Sequence, residues 1–220
     1  TFTVKTSTPT RFPLYLRVPG WCSQATVSVN GERSPVTGSA GRYIRIARQW
    51  QDGDTIRLDI PMTITLRWWE QNHNSMSVDR GPLTYSLRIG EKYVRSGGSD
   101  KWPAWEIFPT TPWNYGLVLD EPEPTASFQM VERDWPSNDM PFTHDGTPIE
   151  IRTKGKRIPQ WQLDKYGLVA ELQDSPVKSD QTIETITLIP MGAARLRISA
   201  FPATGKGSDA HEWIEHERSN

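Results

Sequence analysis

Apolar and polar side chains alternate with a period of two along most of this chain, and that pattern restricts it to β structure. Successive side chains of a strand point to opposite faces, so alternation gives each strand one apolar face to bury. Residues 12–18 place Phe12, Leu14, Leu16 and Val18 on one face. Residues 25–29 set Ala25, Val27 and Val29 against Thr26 and Ser28. Asn30-Gly31 follows, a pair suited to the positive φ angles of a tight hairpin turn. Tyr43, Ile44 and Ile46 mark another strand, and Asp52-Gly53-Asp54 turns the chain into Ile56, Leu58 and Ile60. Residues 62–68 and 83–89 alternate again. Short strands about 8–12 residues apart with turn residues between them predict sandwiches or barrels. The expected fold class is all-β, as two antiparallel β-sandwich domains in tandem with little helix.

The alternation breaks over residues 96–124, where Trp102, Pro103, Trp105, Pro109, Pro112, Trp113, Pro122 and Pro124 crowd together. A structureless loop of that length is unusual inside a compact domain. The segment is therefore expected to be an ordered, aromatic-pinned connection with a short strand near residues 115–119. This places the first sandwich at residues 1–89 and the second at 90–205. Further strands are expected at 127–131, 149–154, 170–172, 182–190 and 195–201. Residues 206–220 read as a tail with a short helix over 209–217, N-capped by Ser208 or Asp209. The opening at Thr1, directly in a strand-like run, reads as a piece cut from something longer.

Composition narrows the function classes. The net charge is -1 and the basic residues are dispersed, so the basic footprint of a nucleic-acid or membrane-surface binder is missing. Ten Trp, six Tyr and six Phe spread along the chain argue for a packed core and against disorder. The single cysteine, Cys22, allows no disulfide within the chain and no cysteine-based metal site.

Each chemical motif competes with a plain structural role. His211-Glu212-Trp213-Ile214-Glu215-His216 approaches a zinc-protease helix, but its histidines are five apart. On a helix they would lie about 140° apart and could not share a metal, so a polar terminal helix is the expectation. Cys22 sits in Pro19-Gly20-Trp21-Cys22-Ser23, without the base or cation that favours a thiolate, and is expected to be a small buried hydrophobe. Glycosidases use paired carboxylates, and Glu70, Asp79, Glu106, Asp120, Glu121, Glu123, Asp134, Asp139 and Asp145 offer many candidates without singling out two. Asp79, in Val78-Asp79-Arg80-Gly81-Pro82, is expected to make a structural ion pair or turn bond. Gly205-Lys206-Gly207-Ser208 lacks the spacing of a phosphate loop. No catalytic and no metal-binding residue is assigned. The candidate carbohydrate-binding residues are Trp102, Trp105 and Trp113, whose flat rings suit stacking on sugars; their structural alternative is core packing.

In order, several segments resemble the C-terminal region of glycoside hydrolase family 127, the β-L-arabinofuranosidase-like proteins. They are residues 12–22, FPLYLRVPGWC; 27–31, VSVNG; 50–54, WQDGD, leading to 60–62, IPM; 79–85, DRGPLTY; 112–117, PWNYGL; 184–192, ETITLIPMG; and 196–202, LRISAFP. The resemblance implies an (α/α)6-barrel catalytic domain followed by two β-sandwich domains, of which this chain is similar to the sandwiches. It implies a zinc site in that barrel, built from a glutamate and three cysteines, one of them the nucleophile. With Cys22 alone, this chain matches none of that set, so no cofactor is expected in it. The expected role is that of a non-catalytic accessory region that supports the barrel of the same polypeptide and assists a homodimer. The alternative is a carbohydrate-binding module for plant-type oligosaccharides, with exposed Trp as its platform. A stand-alone hydrolase using an Asp/Glu pair is the third reading. A role in polysaccharide breakdown implies a secreted or periplasmic parent.

Overall fold

A computed structural model describes residues 1–119 and 123–205. The expected tail helix and the histidines at 211 and 216 lie outside the described residues. The chain forms two compact units, Thr1–Thr63 and a second beginning at Ile64. Apart from two short 3-10 turns, the regular elements described are strands, as the alternation predicts.

The first unit contains β1 (Phe2–Thr3), β2 (Thr10–Arg17), β3 (Thr26–Val29), β4 (Glu32–Arg33), β5 (Tyr43–Trp50) and β6 (Thr55–Asp59). Strands β1, β6, β3 and β4 make one antiparallel sheet in that order, and β2 pairs antiparallel with β5 in another. Both sheets contribute to one core: Leu16 from β2, Val27 from β3, Ile44 and Trp50 from β5, and Ile56 from β6, with Val18, Cys22 and Ala25 between strands. Cys22 is fully buried, in keeping with a packing role. Asn30 (φ 52°) and Gly31 (φ 84°) supply the two left-handed positions of the β3–β4 hairpin. The Asn30 side chain also accepts from the Thr55 amide at 2.8 Å and donates to Asp54 at 2.8 Å. Amide hydrogen bonding from Gln51, then the Asn30 contact, holds the Asp54 carboxyl below its ordinary pKa.

The second unit contains β7 (Ile64–Trp69), β8 (Ser75–Arg80), β9 (Leu83–Leu87), β10 (Glu91–Gly98), β11 (Pro103–Pro109), β12 (Tyr115–Val118), β13 (Gln129–Glu132), β14 (Ile149–Arg157), β15 (Ile183–Pro190) and β16 (Ala203–Thr204). Strands β16, β12, β14, β15, β9, β8 and β7 follow one another in a sheet that β13 joins through β14. One edge of β14 pairs with β13 near Ile149–Arg152 and with β12 near Gly155–Arg157, and its other edge pairs with β15. The core packs on these strands through Val78, Tyr85, Leu87, Leu117, Ile151, Ile186 and Leu188, closed by Ile158, Trp161 and Phe201.

Four expectations need correction. The compact units part after residue 63, not residue 89, because β9 pairs with β15 and draws β7, β8 and β9 into the second sheet. The Trp/Pro-rich stretch contains the expected short strand, β12, but its residues 96–98 and 103–109 belong to the β10–β11 hairpin, with Pro103 and Pro109 at the two ends of β11, where proline is tolerated. Residues 170–172 form no strand, since the Ala170 amide and carbonyl are taken by Gln162 and the Trp161 ring N–H. Residues 195–201 form no strand: the chain bends at 195 and 196, and its backbone contacts are scattered, Ile198 O to Leu87 N and Phe201 with Met76. Asp79 takes its expected structural role, paired with Arg67 at 3.1 Å and accepting from the Thr84 hydroxyl at 2.6 Å.

Candidate functional site

The three predicted tryptophans do not act as a set. Trp102 stands in the tight turn closing the β10–β11 hairpin, where Ser99 and Trp102 exchange backbone hydrogen bonds of 3.1 Å, and its ring is 74% exposed. Trp105 lies in β11 and is 51% exposed. Trp113 is half-buried and meets Trp161 edge-on with centroids 5.3 Å apart, so it serves the core.

Trp105 leads to a site that sequence reasoning missed. Register places it opposite Arg95, two residues along from the Tyr93–Ile107 pair, so Tyr93 and Trp105 share a face of the hairpin. Their rings meet edge-on at 6.4 Å. Tyr93 then forms one wall of a cleft of about 370 Å³ whose other lining residues are Glu91, Thr143, His144, Asp145 and Arg195. Thr143 and Arg195 also line an adjoining, more apolar depression of about 450 Å³ with Trp135, Asp139, Met140, Pro141 and Phe142.

The polar groups of this cleft are held in place. Glu91 Oε1 accepts from the Arg195 amide at 3.0 Å, and Glu91 Oε2 accepts from the Tyr93 hydroxyl at 2.9 Å. Loss of hydration, then the Glu91 carboxylate, pushes the Tyr93 phenol above its ordinary pKa, with Arg195 opposing, so it stays protonated near neutrality. Asp145 pairs with Arg88 at 2.9 Å and with the His144 Nδ1 at 3.0 Å. Those two neighbours, His144 first, hold its carboxyl below the usual range and therefore ionised. Arg88 is anchored from below by Glu150, a carboxylate only 1% exposed, which also takes Arg133 at 2.8 Å. Fixed charges on a rigid strand are the means by which a binding site is preorganised.

The loop between β13 and β14 supplies the rest. The Trp135 ring N–H donates to Asp139 at 2.7 Å, and Asp139 adopts a left-handed φ of 55°. Thr143 accepts from the Gly146 amide at 3.1 Å, and a Cβ at Gly146 would lie 2.4 Å from the Thr143 hydroxyl oxygen. This turn leaves Trp135 62% and Phe142 73% exposed. The only signal in the sequence was the density of Trp, Phe, His and Asp over residues 134–145 in a stretch without alternation.

The cleft offers fixed hydrogen-bonding groups and charges. A glycosidase acid needs a raised pKa, and Asp145 is displaced the other way. Among the described residues no three His, Cys, Asp or Glu side chains stand together to hold a metal, and Cys22 is locked in the first unit's core. The described residues do not fit the glutamate–cysteine zinc set that the resemblance implies for a barrel. No described helix is long and apolar enough to cross a membrane.

Comparison with known proteins agrees with the fold. Residues 1–62 match the family model for the beta-L-arabinofuranosidase, GH127 middle domain. Among solved structures, a protein described as a glycoside hydrolase is similar at 19% identity and a TM-score of 0.55, over 92% of this chain and 30% of its own. A GH127 beta-L-arabinofuranosidase from Geobacillus stearothermophilus T6 is similar at 23% identity and a TM-score of 0.53, over 93% of this chain and 28% of its own. No curated protein matches. The chain thus spans less than a third of either solved relative. Residues 1–62 thus bear out the family 127 resemblance drawn from the sequence, and the all-β chain shares its fold with the two solved structures.

Proposed function

We propose that the chain is the non-catalytic accessory β region of a glycoside hydrolase resembling a β-L-arabinofuranosidase. The observation that carries this reading is the match of residues 1–62 to a middle domain, within a chain that spans under a third of the solved relatives. On this reading the bond-breaking groups, with any zinc, belong to an (α/α)6 barrel elsewhere in the same polypeptide. The two β units support that barrel and assist homodimer formation.

The test is to assay the isolated 220-residue chain on an aryl β-L-arabinofuranoside with zinc and a thiol reductant present. No release of the aryl group above the buffer rate is expected. Turnover that scales with chain concentration would overturn the proposal.

Carbohydrate binding is the second reading, and the exposure of Trp102 and Trp105 favours it. Exposed aromatic rings are costly to leave in water and suit the apolar C–H faces of a sugar.

A further inference from the structure

We propose that the cleft between β10, the β13–β14 loop and Arg195 binds one or two residues of a neutral glycan, with its polar groups on ring hydroxyls and Trp135 and Phe142 against the C–H faces. The volume is right: the polar cleft holds about 370 Å³ and its apolar neighbour about 450 Å³, inside the usual range for small-molecule sites of roughly 300–1,000 Å³.

The polar groups are also right in kind. A sugar presents adjacent hydroxyls that donate and accept together, so it is best met by planar groups offering paired partners. Asp145 is an ionised acceptor whose side chain is 87% exposed, although two protein donors orient it. Arg195 is an exposed multiple donor. Tyr93 is exposed with its hydroxyl fixed by Glu91. These bonds spare a ligand the cost of ordering the site. The apolar side has the matching character, since Trp135, Met140 and Phe142 are each more than half exposed.

The charge selects among glycans. Around the two depressions the carboxylates Glu91, Asp139, Asp145 and Glu150 stand against the guanidinium groups of Arg195, Arg88 and Arg133, which leaves one carboxylate in excess, with His144 beside Asp145. An acidic sugar would bring its carboxylate towards this excess, and like charges at close range repel. Neutral sugars carry no such penalty. The choice of probe, though not the site, rests on the chain's being part of a glycan-processing protein.

The experiment is isothermal titration calorimetry of the 220-residue chain with a neutral arabino-oligosaccharide and, in parallel, with an oligogalacturonate. The neutral ligand is expected to bind and the acidic one to bind at least about tenfold more weakly. Arg195→Ala and Phe142→Ala alter exposed side chains; each is expected to weaken binding about tenfold. Tyr166→Ala, at an exposed ring that lines neither depression, is expected to leave it unchanged, and Trp102→Ala separates this cleft from the hairpin turn. Near-ultraviolet circular dichroism confirms that each variant is folded. No binding of the neutral ligand, tighter binding of the acidic one, or binding lost in Trp102→Ala but kept in Arg195→Ala and Phe142→Ala would each overturn the proposal. Failure here leaves the accessory reading standing, whereas hydrolysis of the ligand during titration would sink that reading and not this one.

Discussion

Replacing Glu150 with Gln tests how the second unit holds its cleft. Glu150 is 1% exposed in β14 and carries two guanidinium partners, Arg88 and Arg133. Gln keeps the volume but removes the charge, and its amide N–H₂ faces donors where the carboxylate had an acceptor. One charge-assisted hydrogen bond is lost outright, worth about 1.5–3 kcal/mol, and the other becomes neutral. Arg88 is 23% and Arg133 44% exposed, so water recovers part of the loss for each. The expected net cost is therefore about 2–3 kcal/mol, below the roughly 3–5 kcal/mol of breaking a fully buried pair. Urea unfolding followed by tryptophan fluorescence measures it, since Trp113 and Trp161 pack in this unit's core. A loss below about 0.5 kcal/mol, the level of an exposed pair, would refute the view that this carboxylate organises the arginines beneath the cleft.

Two further outcomes are expected. Gly38→Ala destabilises the first unit by about 1–3 kcal/mol, measured by thermal unfolding, because the added Cβ would lie 2.5 Å from Val18 Cγ2 and 2.6 Å from Ile44 Cδ1. His73 binds Asp174 at 2.7 Å and Glu171 at 3.1 Å, and the Asp174 hydrogen bond leads in raising its pKa above 6.5. Because the folded value is the higher one, this contribution is full below about pH 6.5 and fades as pH rises through the folded pKa. Hydrogen exchange at the Ser175 amide, which donates to His73 O at 2.9 Å, should then lose protection over that window in wild type but not in His73→Asn.

Much of the scaffold was legible because period-two alternation is local and physically decisive. Leu14 and Leu16 enter the first core from one face of β2, and Ile186 and Leu188 enter the second from β15, as their spacing requires. The Asn30-Gly31 turn was equally plain, since few other pairs tolerate two positive φ angles. Unit membership was not legible. Nothing in residues 83–89 states that Leu87 will lie opposite Leu188, about a hundred positions away. The same limit hid the cleft. Glu91, Asp145 and Arg195 look like ordinary surface charges until the fold brings β10 and two distant loops together. Trp113 misled for the opposite reason, because sequence shows an aromatic ring but not the Trp161 ring that covers it.

On the proposed reading these residues recognise a glycan without cleaving it. A single sample of isotopically labelled chain with a neutral arabino-oligosaccharide, followed by NMR for a day, reports on both halves of that statement. The predicted result is shift changes confined to amides around Glu91–Arg95, Trp135–Asp145 and Arg195, with the sugar's anomeric signals unaltered. New anomeric signals from released sugar, or an unperturbed protein spectrum, would contradict it.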